Sequence, residues 1–308
     1  MRQTYVSSRK QSGAAMVLVL WLLSLLVILA SGYSRMMRTD MLQTAHMVHA
    51  ATAQAAAEAG IYDAILFLVD PARTLQPGTP MNDISLEFDS FQLATTIQPE
   101  NSRIDINHAT PELLQGLFEA ANIPDAEHLP LVHAILDWRD RDEDAHREGA
   151  ERDWYERHRP GTAIKNDMFN SVDELMLVKG MKPEYFRAIE PTLTVHSHQL
   201  GISPMHAPAL ALAALPGITE TGAAQFLELR QSLEPAAALQ LLADIDRQYL
   251  SMAATNIYRI RCHAKKNDSE TTVEAVVQVN SQGNSPFRIL SWQFVQPVEQ
   301  AVALAGDT

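Results

Sequence analysis

Residues 14–33 form an apolar run, AAMVLVLWLLSLLVILASGY, in which 20 consecutive positions carry no charge. A helix of that length rises about 30 Å, the thickness of a bilayer's hydrocarbon core. Only a helix satisfies its own backbone there, so the pattern predicts a transmembrane helix over 14–34. Beyond it, MLQTAHMVHAATAQAAAEAGIYDAILFLV is rich in alanine and meets no proline before Pro71. The helix is therefore expected to continue as a rod over 35–70. After Pro71 the period changes: ISLEFDSFQLATTIQPENSRIDIN alternates in part and favours strands over 71–104. Alternation returns in NIYRIRCHAKK, TTVEAVVQVN and FRILSWQFV, with turns at Asn267-Asp268 and Gln282-Gly283-Asn284, which predicts terminal strands over 256–296. The expected fold is α+β: an antiparallel sheet drawn from both ends of the region beyond the rod, with 105–255 a helical insertion and 297–308 a disordered tail.

Two segments of the insertion look alike. INHATPELLQGLFEAANI has Asn107 and Thr110 as cap candidates, Pro111 at a first helical turn, and Leu113, Leu114, Leu117 and Phe118 on one face. APALALAALPGITETGAAQFLELR places Leu215-Pro216-Gly217-Ile218 between two helical stretches. Both resemble helix-hairpin-helix units, which in DNA-binding proteins offer turn amides to a phosphate. Composition argues for the other use of such units, compact helical packing. The chain has 37 acidic and 24 basic residues, a formal charge of −13, and Glu220 and Glu228 flank the second hairpin. That charge repels a polyphosphate backbone, so no nucleic-acid partner is expected.

The most polar stretch is AILDWRDRDEDAHREGAERDWYERHRPGTAIKND, whose core, 137–155, is an acidic loop. Asp140, Asp142 and Asp144 stand at positions 1, 3 and 5 of a calcium-loop spacing, with Glu148 at 9 and Glu151 at 12; Asp137 and Asp153 add further carboxylates. Hard oxygen donors alternating along a turn suit Ca²⁺. Ala145 and Arg147 depart from the EF-hand pattern, which has glycine and an apolar residue there. The competing reading is a solvated loop whose carboxylates are neutralised pairwise by Arg139, Arg141, Arg147 and Arg152, with exposed pairs worth about 0–1 kcal/mol each. Spacing leaves both open.

The leader MRQTYVSSRKQSG is basic and ends in Gly13 directly before the apolar run. A secretory signal would have a shorter apolar region, about 7–15 residues, although Leu29-Ala30-Ser31-Gly32 offers small residues for its removal. Arg2, Arg9 and Lys10 before the run, against Arg35 and Arg38 after it, give positive-inside reasoning only a slight bias toward a cytoplasmic N-terminus. The Gly13–Ala14 junction resembles a type IV prepilin cleavage site, which would leave the helix on the mature chain. The fifth mature position is then Leu18, where most such subunits carry glutamate.

Several motifs agree with that leader: Asp137-Trp138, the carboxylates of 140–144, Gly149-Ala150-Glu151, Asp153-Trp154-Tyr155, Ser171-Val172-Asp173-Glu174-Leu175 and Arg288-Ile289-Leu290-Ser291-Trp292. As a set they resemble the K-type minor pseudopilins of type II secretion systems. The resemblance implies a pilin-type sheet, two SAM-like helical units, cleavage between Gly13 and Ala14 by prepilin peptidase, and a methylated mature N-terminus. It implies a single pass through the inner membrane with the C-terminal region in the periplasm. Its partners would be the I-type and J-type minor pseudopilins, in a tip complex that initiates pseudopilus assembly and supports export across the outer membrane. Leu18 suits a tip subunit, which has no subunit above it to pair with a buried carboxylate. The resemblance further implies calcium at the loop, with Asp137, Asp140, Asp142, Asp144, Glu151 and Asp153 as the candidate ligands.

No enzyme is expected. The sequence has no HExxH, no G-x-S-x-G, no Walker loop and no G-x-G-x-x-G. Cys262 is the single cysteine and stands in a strand-like run; His196-Ser197-His198 has no carboxylate close in sequence to complete a metal site. The alternative from another class is a membrane-tethered helix-hairpin-helix DNA-binding protein of a competence system. A third reading is a periplasmic enzyme with an uncleaved anchor.

Overall fold

The computed structural model describes residues 12–70, 82–88, 90–159, 161, 164–231, 235–267, 269–280 and 285–295. Most of the leader, residues 1–11, and the 297–308 tail lie outside the described residues. Helix α1, Ser12–Val69, bears out the long apolar N-terminal helix. The chain divides into two units, Met1–Ala53 and Gln54–Thr308.

In the first unit every side chain over 16–50 is exposed, including Leu18, Trp21, Leu22, Leu25 and Ile28. So much uncovered apolar surface is stable only in an apolar medium, and α1 is long and apolar enough to cross a membrane. The hydroxyl of Ser24 donates to the Leu20 carbonyl at 2.9 Å, so this polar group is satisfied within the helix.

In the second unit the same helix buries a stripe of small and branched residues: Ala56, Ala57, Ile61, Ala64 and Ile65. Their spacing puts them on one face. Close approach is required at Gly60, where a Cβ would overlap the Cys262 sulfur. Cys262 is buried there, and burial pushes its thiol pKa up, as suits an inert core residue.

The sheet that carries Cys262 is antiparallel, in the order β1 (Asn82–Phe88), β2 (Phe91–Pro99), β5 (Ile257–Lys266), β6 (Ser269–Val279), β7 (Phe287–Val295). β2 and β5 are neighbours, with Pro99 opposite Tyr258, so the chain leaves the sheet and returns beside its point of departure. Two short strands of the excursion, β3 (Ile104–Asp105) and β4 (Leu193–Thr194), pair in parallel.

A buried ionic network stands where the sheet meets the excursion. Arg259 reaches Glu100 at 2.7 and 3.1 Å and Glu274 at 2.5 Å; Arg261 adds contacts to Glu274 at 2.5 and 2.8 Å. The Thr194 hydroxyl donates to Glu100 at 2.5 Å. Burial alone would push both carboxyls up, but the guanidinium charges outweigh it and hold Glu100 and Glu274 below the usual carboxylate range.

The excursion is helical and packs its own core. Helix α2, Pro111–Ala120, is capped by Thr110, whose oxygen accepts from the Leu113 amide at 3.3 Å. Asn122, at φ 55°, turns the chain into α3, Asp125–Arg139. A second hairpin joins α6, Ala209–Ala213, to α7, Glu220–Gln231, through Gly217 at φ 88°. The two hairpins meet where Gly116 of α2 lies so close to the Ala214 carbonyl that a Cβ would overlap it. Phe118, Leu117, Leu212 and Phe226 fill the core here. Helices α4 (Arg152–His158), α5 (Pro183–Ile189) and α8 (Pro235–Gln240) complete the region.

Candidate metal centre

The acidic loop starts from a buried helix end. The last turns of α3 carry Asp137 and Trp138, both almost fully buried. Trp138 stacks on Phe169 at 6.1 Å and meets Tyr155 edge-on at 5.5 Å. This aromatic packing fixes the carboxylate beside it. His146 comes back over the helix end: its amide lies 3.1 Å and its ring Nδ1 2.5 Å from Asp137 Oδ1. That leaves Asp137 Oδ2 buried and without a hydrogen-bond partner.

Other oxygens share that condition. Asp140 Oδ1, both carboxylate oxygens of Glu151 and the side-chain oxygen of Asn166 are also buried and unpartnered. Ligand atoms of Asp140, Asp142 and Glu151 lie within 4.8 Å of one another, as do those of Asp137, Asp140 and His146. Asn166, at φ 46°, donates its amide to the Asp142 carbonyl at 2.7 Å, which pins the loop. Gly149 makes room: a Cβ there would overlap Asp137 Oδ2. Lys179 closes the loop's exit by donating to the carbonyls of Glu148 and Gly149 at 3.1 and 2.8 Å.

Mutual repulsion shows in the protonation equilibria. Burial, with Asp137, Asp140 and Glu143 nearby, pushes the Glu151 carboxyl up to about 7. Burial followed by Asp142 and Asp137 raises Asp140 as well. The arginines that could have relieved this go elsewhere. Arg139 donates to the carbonyls of Ile106 and Ala109, at 2.5 and 2.9 Å. Arg141 pairs with Asp167, Arg147 with Glu148 and Arg152 with Glu143. Pairwise neutralisation therefore operates at the rim but does not reach Asp137, Asp140 or Glu151.

A cluster of buried oxygen atoms without donors, on carboxylates that repel one another, is the chemistry of a hard-cation site with six to eight oxygen ligands. The residues present fit a calcium ion: Asp137, Asp140, Asp142 and Glu151, joined by Asn166. Asp144 is exposed, donating its amide to Asp142 Oδ1 at 2.9 Å, and Asp153 is exposed in the first turn of α4; neither belongs to the two donor groups. Asn166 escapes the spacing argument because it is neutral and lies beyond α4; its left-handed backbone is the one local signal. Gly13 and Ala14 fall in the first turn of α1.

Residues 82–198, which include every candidate donor, match the family model described as Type II secretion system (T2SS), protein K. Over that span the chain is similar to type II secretion system protein K. A curated member, Type II secretion system protein K from Aeromonas hydrophila, is 26% identical over 210 residues. That alignment takes in 60% of this chain and 63% of the relative, so the chain spans less than two thirds of the relative it matches. The fold is similar to that of a chain in the crystal structure of the GspK-GspI-GspJ complex from the enterotoxigenic Escherichia coli Type 2 Secretion System. The TM-score is 0.58 at 18% identity, covering 84% of this chain and 99% of that one. Helix α1 has the length and composition of a single-pass membrane anchor.

Proposed function

We propose that the chain is a minor pseudopilin of type II secretion, without catalytic activity. It sits in the inner membrane through α1, with the C-terminal region in the periplasm. There it joins I-type and J-type minor pseudopilins at the pseudopilus tip, starts assembly and so supports export across the outer membrane. The observation that carries this reading is the protein K match over 82–198, present in one chain with a bare apolar helix. The structural relative supports the partners, because it is a complex of GspK with GspI and GspJ.

The same reading gives the acidic loop a structural calcium ion held by Asp137, Asp140, Asp142, Glu151 and Asn166. An ion that binds only the folded chain stabilises it by RT ln(1 + [L]/Kd). Its role is to set the loop, and no reaction step passes through it.

The test is co-expression of the full chain with prepilin peptidase and the I-type and J-type subunits. Mature protein is expected to begin at Ala14, N-methylated, and to co-purify with both subunits. A chain that still begins at Met1, or that starts beyond Ala30, removes the pseudopilin reading.

A further inference from the structure

Far along the chain from the acidic loop, the two-residue pairing of β3 with β4 sets Asp105 opposite Thr194. It thereby brings His198 onto the turn that follows Asp105. We propose that Asp105, His108 and His198 form a second metal site, for Zn²⁺ or a similar transition-metal dication, separate from the oxygen-lined calcium site.

The carboxylate is built in. Asp105 is almost fully buried. Its Oδ1 accepts from the Asn107 amide at 2.9 Å; its Oδ2 accepts from the His198 amide at 2.7 Å and from the buried Ser197 hydroxyl at 3.3 Å. These donors fix the orientation and leave acceptor capacity on Oδ1, the arrangement outer-shell partners give to metal-bound carboxylates.

His108 Nδ1 lies 3.3 Å from that Oδ1, yet it is buried and makes no hydrogen bond. A nitrogen and an oxygen bound to one ion at about 2.0–2.1 Å, at a tetrahedral angle, stand about 3.3–3.4 Å apart. The observed separation matches that of two ligands sharing an ion. His198 supplies the third donor: one ligand atom from each residue falls within 4.8 Å of the other two, with the imidazoles edge to face at 5.5 Å. His198 holds φ 54°, a conformation uncommon for a residue with a Cβ. A backbone held there by its surroundings is a pointer to a site.

Donor chemistry selects the metal. Two imidazoles and a carboxylate suit zinc and its neighbours, whereas calcium takes oxygen ligands. Three protein donors leave a position open to water or to a donor from another chain. An ion here would tie the 105–108 turn to the segment after β4 across more than half of the insertion.

The test uses the full-length chain in detergent with Ca²⁺ at saturation, titrated with Zn²⁺ by calorimetry and with Co²⁺ by visible absorption. The expected result is one Zn²⁺ per chain, bound without release of Ca²⁺. His108→Gln and His198→Asn should each weaken it by at least about 100-fold, beyond the loss of an outer-shell partner. Asparagine is chosen for the second because it tolerates positive φ. Both variants should keep the wild-type far-ultraviolet dichroism and Ca²⁺ binding. Zn²⁺ binding that is unchanged in His108→Gln and His198→Asn, or Zn²⁺ that Ca²⁺ displaces, overturns the proposal. Should a variant misfold, the wild-type Co²⁺ spectrum decides: intense bands of a four- or five-coordinate nitrogen-containing centre support the site, and the weak octahedral spectrum sinks it.

Discussion

Two groups of carboxylates are buried in the same unit, and their fates differ. Glu100 and Glu274 are met by Arg259 and Arg261, with Thr194 taking a remaining lone pair, and both stay ionised below the usual range. Asp137, Asp140 and Glu151 lie among arginines that turn to carbonyls and rim acids, and Asp137 Oδ2, Asp140 Oδ1 and both Glu151 oxygens stay without donors. The first group is complete within the chain. The second is not, among the described residues, and the calcium ion proposed above rests on that difference. Burial of acid groups therefore does not by itself mark a ligand site, and a buried oxygen without a donor is the stronger pointer.

The largest effect that separates the two regions is expected from Arg259→Met. It leaves Glu100, fully buried, without its guanidinium, and removing one partner of a buried pair costs about 3–5 kcal/mol. Urea unfolding of the full chain in detergent should show that loss with or without calcium. If the network were only decorative, the midpoint would scarcely move. Next in size is chelation. At calcium 100 to 1,000 times the dissociation constant, binding adds about 2.7–4.1 kcal/mol, so a chelator should lower the wild-type melting temperature and leave the secondary structure in place. An unchanged melting temperature would refute the calcium reading.

pH separates the groups by sign. Glu100 and Glu274 have folded pKa values below the ordinary carboxylate value, so the unfolded state binds more protons. Their contribution is present above about pH 4.3 and is lost as pH falls further. Glu151 runs the other way in calcium-free protein. Its carboxyl, raised to about 7, keeps a proton that the unfolded chain releases, so stability should fall as pH rises from about 4.3 to 7. Thermal melts in chelator across that range should show the decline, and saturating calcium should abolish it. A flat chelator profile would show that the carboxylates are relieved by something within the chain.

How much of this is legible in sequence depends on how far apart the partners lie. The long apolar helix and the α+β class follow from local periodicity: a charge-free run, an alanine stripe, alternating strands at both ends. The β2–β5 register does not, because a long excursion separates the two strands. In the acidic loop, Asp140 and Asp142 emerge from their spacing, since two residues apart on one turn keeps them neighbours. The arginines mislead: interleaved with the acids, they suggest neutralisation, while Arg139 spends its donors on Ile106 and Ala109 across the fold. Asn166 is silent because it has no charge. Asp105 and His198 meet only through two residues of parallel pairing, too short to read from sequence.

The finest division lies within the loop itself, between acids that spacing suggests and acids that the fold gathers. Asp144 and Asp153 are exposed and outside the donor groups, so Asp144→Asn and Asp153→Asn should each change stability in calcium by no more than about 0.5 kcal/mol. Asn166→Ala removes no charge, yet it takes away a buried oxygen and the hydrogen bond to the Asp142 carbonyl. It should weaken calcium binding more than either aspartate change, measured by titration of the three variants side by side. The reverse order would mean that net charge on the loop, rather than the geometry of its buried oxygens, governs the ion.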